Sequence, residues 1–216
     1  MIDSELFISA LVTFFVVIDP PGCAPIFASL TTGASAAHRR TMAVRSTLIA
    51  SGILLFFALL GEKLLASMGI SLDAFRVAGG LMLFMIAIDM VFEKRTERRA
   101  HRAEDVKGQP DHEDISVFPM AIPMIAGPGS IASVMLLTSK ADGLSGTITV
   151  LGALATVLVM LLILLVLAGP VMKVLGYKME AMITRILGVI LAALAAQYVL
   201  DGVKATFMVT SASGAV

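Results

Sequence analysis

Apolar runs separated by short polar stretches dominate the chain. Six of them, at about residues 5–30, 41–60, 72–92, 115–139, 147–169 and 180–200, each approach the roughly 20 residues a helix needs to cross a ~30 Å hydrocarbon core. The pattern predicts six membrane-spanning helices. Between the third and fourth lies a polar stretch, 93–114, in which Lys94, Arg95, Arg98, Arg99, Arg102 and Lys107 mix with about as many acids. It reads as a solvated, partly disordered cytoplasmic linker. The tail, 210–216, is small and polar with no evident structure.

Two of the runs are interrupted. Asp19-Pro20-Pro21-Gly22-Cys23-Ala24-Pro25 breaks the first and Ala126-Gly127-Pro128-Gly129-Ser130 the fourth. Proline removes a backbone donor and glycine permits angles other residues resist, so neither stretch favours continuous helix. Main-chain groups freed inside a bilayer cost several kcal/mol each unless protein, water or a ligand satisfies them. Laid over one another, residues 18–23 match residues 125–130 with Pro-Gly in register.

The correspondence extends along each half. Arg76-Val77-Ala78-Gly79 matches Arg185-Ile186-Leu187-Gly188 at nearly the same offset, and Gly69 corresponds to Gly176. A repeat of three spans inverts its second copy relative to the membrane, an arrangement common among secondary transporters. The expected organisation is a first three-span repeat over 1–92, the linker over 93–114, an inverted repeat over 115–209 and the tail. Basic residues concentrate after spans one, three and five, which puts both termini in the periplasm and the linker in the cytoplasm.

Composition narrows the classes. The chain has 216 residues, 58% of them hydrophobic, and its mean hydropathy is +0.95, which leaves a polytopic helical membrane protein. No basic tail invites nucleic acid, and the single cysteine, Cys23, excludes an intrachain disulfide or a multi-cysteine metal site. His38, His101 and His112 all fall in predicted loops, so no intramembrane imidazole relay is expected. Motifs for metal hydrolases, serine hydrolases and phosphate-binding loops are missing, and Ser130 has no base within a span. The chain is therefore not expected to be an enzyme, and no catalytic or metal-binding residue is assigned.

A helix that restarts inside a membrane presents bare amides and a favourable dipole to an anionic group. Pro21, Gly22 and Cys23 at one break, and Gly127, Gly129 and Ser130 at the other, are the candidate contacts for a solute carboxylate, while freed carbonyls nearby suit an ammonium group or cation. The other reading is that Pro and Gly only kink packed helices. Asp19, about 15 residues into its span, either caps the restarting helix or binds an amine, a cation or a proton. Gln197 either bonds a neighbouring helix or contacts solute. Arg76 and Arg185, each in the first turn of the third helix of its half, either snorkel to headgroups or brace a broken hairpin through its freed carbonyls. Asp89 lies near the cytoplasmic end of span three and reads as an interface or gating residue.

At the breaks the chain resembles the MarC family of small integral membrane proteins, also described as six-span neutral amino-acid transporters. Asp19-Pro20-Pro21-Gly22 with Pro25-Ile26-Phe27, and Ala121-Ile122-Pro123 leading to Ala126-Gly127-Pro128-Gly129, carry the resemblance. Arg76-Val77-Ala78-Gly79-Gly80, Ala87-Ile88-Asp89-Met90, Gln197-Tyr198 and Asp201-Gly202 also look like family positions. The resemblance implies transport of glycine, alanine and similar small amino acids.

The expectation is an all-α protein of the bacterial inner membrane, with broken or re-entrant segments one and four, that carries small neutral amino acids by secondary transport. Its partners are the lipid bilayer and a small zwitterionic solute. No cofactor is expected, with room left for a coupling proton or sodium ion and for a homo-oligomer. A channel, a non-transporting scaffold and a broad small-molecule exporter are the alternatives.

Overall fold

The computed structural model describes residues 3–95, 97–98, 100–101 and 114–213. Every regular element among them is helical: α1 (Ser4–Ile18), α2 (Pro20–Leu30), α3 (Ala36–Ser67), α4 (Leu72–Val91), α5 (Ser116–Ile125), α6 (Pro128–Ser139), α7 (Gly143–Val166) and α8 (Ala168–Ser213). Five stretches are long and apolar enough to cross a membrane, and α5 with α6, bent by 53°, makes a sixth.

Local chemistry sets the ends. The Asp3 carboxylate accepts from the amides of Glu5 and Leu6, at 3.0 and 3.1 Å, and starts α1. Asp19 ends α1 in the left-handed region (φ 58°, ψ 65°), and Pro20 then opens α2, where a missing N–H costs nothing. Ser35 caps α3 through the amide of His38, and Ser71 caps α4 through Ala74, both at 3.2 Å. Segment α5 is wide-turned, with extended residues at Phe118 and Ile122, each followed by a proline in cis linkage. Glycines at positive φ turn the chain before α4, at Gly69 (72°), and within α8, at Gly176 (68°). Because of Gly176, α8 is two helices, and its spanning part is Lys178–Phe207.

The structure differs from the hydropathy pattern at several ends. Helix α3 covers 32 residues, well past the expected 41–60, because hydropathy marks the bilayer core whereas a capped helix continues into the headgroups. Helix α8 runs through Ser213 into the stretch expected to lack structure. Glu93, at φ 61°, reverses the chain after α4, and the described residues of 94–101 are helical rather than irregular. The rest of the linker, 96, 99 and 102–113, with Arg99, Arg102 and Lys107, lies outside the described residues.

The most extensive packing is between α4 and α8. Added β-carbons show how close they come: Gly80 would meet the Ala195 carbonyl at 2.9 Å, Gly188 the Val91 amide at 3.1 Å and Gly202 the Asp73 carbonyl at 2.8 Å. Later positions on α8 face earlier ones on α4, so the two helices are antiparallel, with small residues admitting backbone contact. Three further pairs of contacts match between the halves. Helix α1 packs on α7 as α5 does on α3, α2 on α8 as α6 on α4, and α2 on α7 as α6 on α3.

Candidate functional site between the two breaks

At the first break the chain satisfies its own amides. Asp19, 1% exposed, accepts from the Gly22 amide at 3.1 Å through Oδ1. A β-carbon at Gly22 would collide with that carboxylate. The Cys23 thiol donates to the Ile18 carbonyl at 3.5 Å. Geometry thus makes Asp19 a built-in acceptor at the positive end of α2.

The second break is organised differently. The residue before α6 is Gly127, which has no side chain to offer, and among the described residues no side chain caps α6. Pro128 follows and has no N–H, so Gly129 and Ser130 carry the first amides of the helix. Glycine is required at 127, because a β-carbon there would collide with the Pro123 carbonyl oxygen. The uncapped end of α6 opens into a cavity of about 210 Å³. Pro123, Met124, Gly127, Pro128, Gly129 and Ser130 line it from the second break, Val17 from the first, and Ile86 and Asp89 from α4, with Arg95 and Arg98 beyond α4. Ser130 is 3% exposed.

Charge enters this cavity from the reversed chain after Glu93. Arg95 donates through Nη2 to the Val17 carbonyl at 2.7 Å. Arg98 pairs with Asp89, and its side chain is 64% exposed against 19% for the carboxylate, so the mouth of the cavity lies on the Arg98 side. Two guanidiniums, one carboxylate and a bare helix N-terminus surround the space, a setting that favours an anionic group while keeping an acceptor for a cationic one.

The structure gathers only part of the residues singled out from sequence. Gly127, Gly129, Ser130 and Asp89 line the cavity; Asp19, Pro21, Gly22 and Cys23 do not, though Val17, two residues before Asp19, does. Gln197 stands apart: it is exposed and donates to Asp201 at 2.7 Å. Its place within span six gave depth but not the face it occupies. Arg76 pairs with Asp73 at 3.0 Å, and Arg185 with Glu93 at 2.6 Å. The guanidinium on a freed carbonyl is instead that of Arg95, and Arg185 acts next to it, on the residue that turns the chain. Arg95 and Arg98 were read from sequence only as linker charges, and their closeness to the end of α4 was the available signal. Nothing in the sequence marks Val17 or Ile86.

Comparison with known proteins agrees with the sequence resemblance. The profile of "MarC family integral membrane protein" matches residues 4–207. The chain is 34% identical over 206 residues to the UPF0056 membrane protein MJ1677 of Methanocaldococcus jannaschii, covering 95% of this chain and 100% of the relative. It is 32% identical over 202 residues to the UPF0056 membrane protein YvbG of Bacillus subtilis, covering 94% and 96% of the two chains. It is also 32% identical over 197 residues to the UPF0056 inner membrane protein YhgN of Escherichia coli, covering 91% and 95%. No solved structure matches. With a profile match across nearly the whole chain and relatives above 30% identity along their full length, this chain belongs to the MarC family of integral membrane proteins.

Proposed function

We propose that the protein is a secondary transporter of small neutral amino acids of the glycine and alanine class, working by alternating access around its two breaks. One observation carries the reading. At α2 the Asp19 carboxylate occupies the Gly22 amide, whereas at α6 the corresponding end is uncapped among the described residues and faces a cavity. A solute carboxylate at α6 would do what Asp19 does at α2, accepting from the Gly129 and Ser130 amides and the Ser130 hydroxyl. The solute ammonium would go to Asp89. A zwitterion entering here exchanges one ion pair for two: its carboxylate takes over Arg98 and its ammonium takes over Asp89. No uncompensated charge is buried, which would be the main cost of bringing such a solute into a membrane.

Size favours a small ligand. About 210 Å³ is below the ~300–1,000 Å³ of sites for drug-sized molecules, which weighs against a broad exporter. A continuous polar face, as a channel requires, is not what lines the space; the polarity is concentrated at one helix end. The paired packing of α1–α4 and α5–α8, and the matching turns at Gly69 and Gly176, support two inverted repeats, the architecture on which alternating access is commonly built. The concentration of basic residues supports a linker in the cytoplasm, and on that reading the cavity is the inward-facing one. Reconstituted protein should give saturable uptake of radiolabelled glycine and alanine under an imposed proton or sodium gradient. Absence of saturable uptake under both gradients contradicts the reading.

A further inference from the structure

Helix α6 begins at the cavity and ends at a second polar cluster. Lys140, its C-cap, lies about 18 Å from the cavity end, at 1.5 Å per residue. There Lys140 pairs with Asp201 at 3.0 Å, and its ammonium sits 4.9 Å over the ring of Tyr198. Gln197 holds the other oxygen of Asp201 at 2.7 Å. Tyr198 is 3% exposed and packs in one buried cluster with Val16 and Val17 of α1. The cluster therefore ties α6 and α8 of the second half to α1 of the first. Midway along α6, Ser133 is fully buried and its hydroxyl has no hydrogen-bond partner among the described residues. An unsatisfied hydroxyl is costly in a packed interior, and it lies on the line joining cavity and cluster.

We propose that Lys140, Asp201 and Tyr198 form a latch closing a second entrance to the solute site, on the face opposite the linker. The proposal rests on the alternating-access reading above. In the inverted arrangement the open cavity is bounded by α4 against the start of α6, and its counterpart is α8 against the start of α2. Those two elements pack against each other here. Ser130 lines the open cavity, and the residue in register with it at the first break is Cys23, now 0% exposed. Releasing the latch lets α8 leave α2 and exposes Cys23 to the face opposite the linker.

Since Cys23 is the single cysteine, it reports this motion without added thiols. A membrane-impermeant maleimide is applied to sealed vesicles of each orientation holding the full chain, with Cys23→Ser as the blank. Lys140→Met is expected to raise the labelling rate from the face opposite the linker about five- to tenfold, the population shift that loss of an ion pair and its cation–π contact produces, and Asp201→Asn, which leaves Lys140 over Tyr198, about two- to fivefold. Labelling from the linker face stays at the wild-type rate. Wild-type rates in both variants, or an equal rise from both faces, overturn the latch. Glycine uptake in the same vesicles separates the two claims. Uptake by wild type with unmoved Cys23 rates overturns the latch alone. Raised one-sided labelling with no uptake supports the latch and overturns transport.

Discussion

A β-carbon on Gly129 would stand 3.3 Å from Cγ1 of Val17 and 2.6 Å from Cδ1 of Ile86. The two helix breaks, more than a hundred residues apart in sequence, therefore touch, and only the absence of a side chain at 129 leaves room between them. Gly129→Val fills that room. The neighbours are flexible side-chain ends rather than backbone, so the variant is expected to fold with a cost of about 1–3 kcal/mol from overpacking. Its uptake of glycine and alanine is expected to fall at least about tenfold, as when a binding site loses roughly 1.4 kcal/mol. Gly129→Ala should lie between. A folded Gly129→Val protein with wild-type uptake would count against a site at the break.

Asp19 separates capping from proton or ion coupling. As a cap, it is replaceable by asparagine, which serves an N-terminus about as well, whereas alanine costs about 1 kcal/mol. Asp19→Asn should retain most of the uptake and thermal stability, and Asp19→Ala should lower Tm. Loss of gradient-driven uptake in a stable Asp19→Asn protein would make Asp19 the coupling group instead.

Asp89 is predicted to set the preference for an amine. Asp89→Asn removes the negative charge that would pair a solute ammonium and releases Arg98, leaving a more positive cavity. Competition against labelled alanine in the wild type should require both carboxylate and amine in the competitor. In Asp89→Asn, simple carboxylates such as acetate or propionate should bind at least as well as the amino acids, read as protection of the protein against thermal unfolding.

Arg95 bridges 78 residues of sequence to reach the Val17 carbonyl. Arg95→Ala leaves that carbonyl without its guanidinium, and an unsatisfied buried acceptor costs about 1–3 kcal/mol. Arg95→Lys keeps a donor and a charge and should recover part of the loss in Tm. Arg185→Ala is expected to act in the same direction but more weakly, because it reaches this region through an exposed pair with Glu93.

Much of this site could be read from sequence because its chemistry is local. Proline and glycine dictate where Asp19 and Gly127 interrupt the helices, and Gly69 and Gly176 take positive φ without reference to anything distant. The contact between Arg95 and Val17 has no such signature. A long flexible side chain in a polar linker shows no periodicity, and its partner is a main-chain oxygen of an ordinary valine. Gln197 shows the converse: its depth in an apolar run was legible, but the run is apolar all round, so nothing distinguished a lipid-side face from an interior one. The ends of α3 were obscured because polar caps, not hydropathy, determine where a helix stops.

A pH effect is expected at the start of α5. Asp114 accepts from the Ser116 hydroxyl and, at 3.0 Å, from its amide, and Arg45 lies 2.6 Å away. The Ser116 hydroxyl bond is the main cause holding its carboxyl below the usual value; burial opposes it, and the Arg45 charge assists. A depressed folded-state pKa means that its contribution is present above the unfolded value and is lost as pH falls through the folded one. Tm should decline with acid over that range, and Asp114→Asn should show a shallower decline. Parallel curves for the two proteins would remove Asp114 from the account.

The most direct test of a solute held at the start of α6 is protection of that position from modification. Ser130→Cys in a Cys23→Ser background exchanges the two break residues and leaves one thiol, in the cavity. In vesicles it should react with maleimide from the linker face, and saturating glycine or alanine should slow that reaction at least several-fold, while a non-zwitterionic amine should not. An unchanged labelling rate at saturating amino acid, in a protein that still takes up glycine, would contradict a solute site between the two breaks.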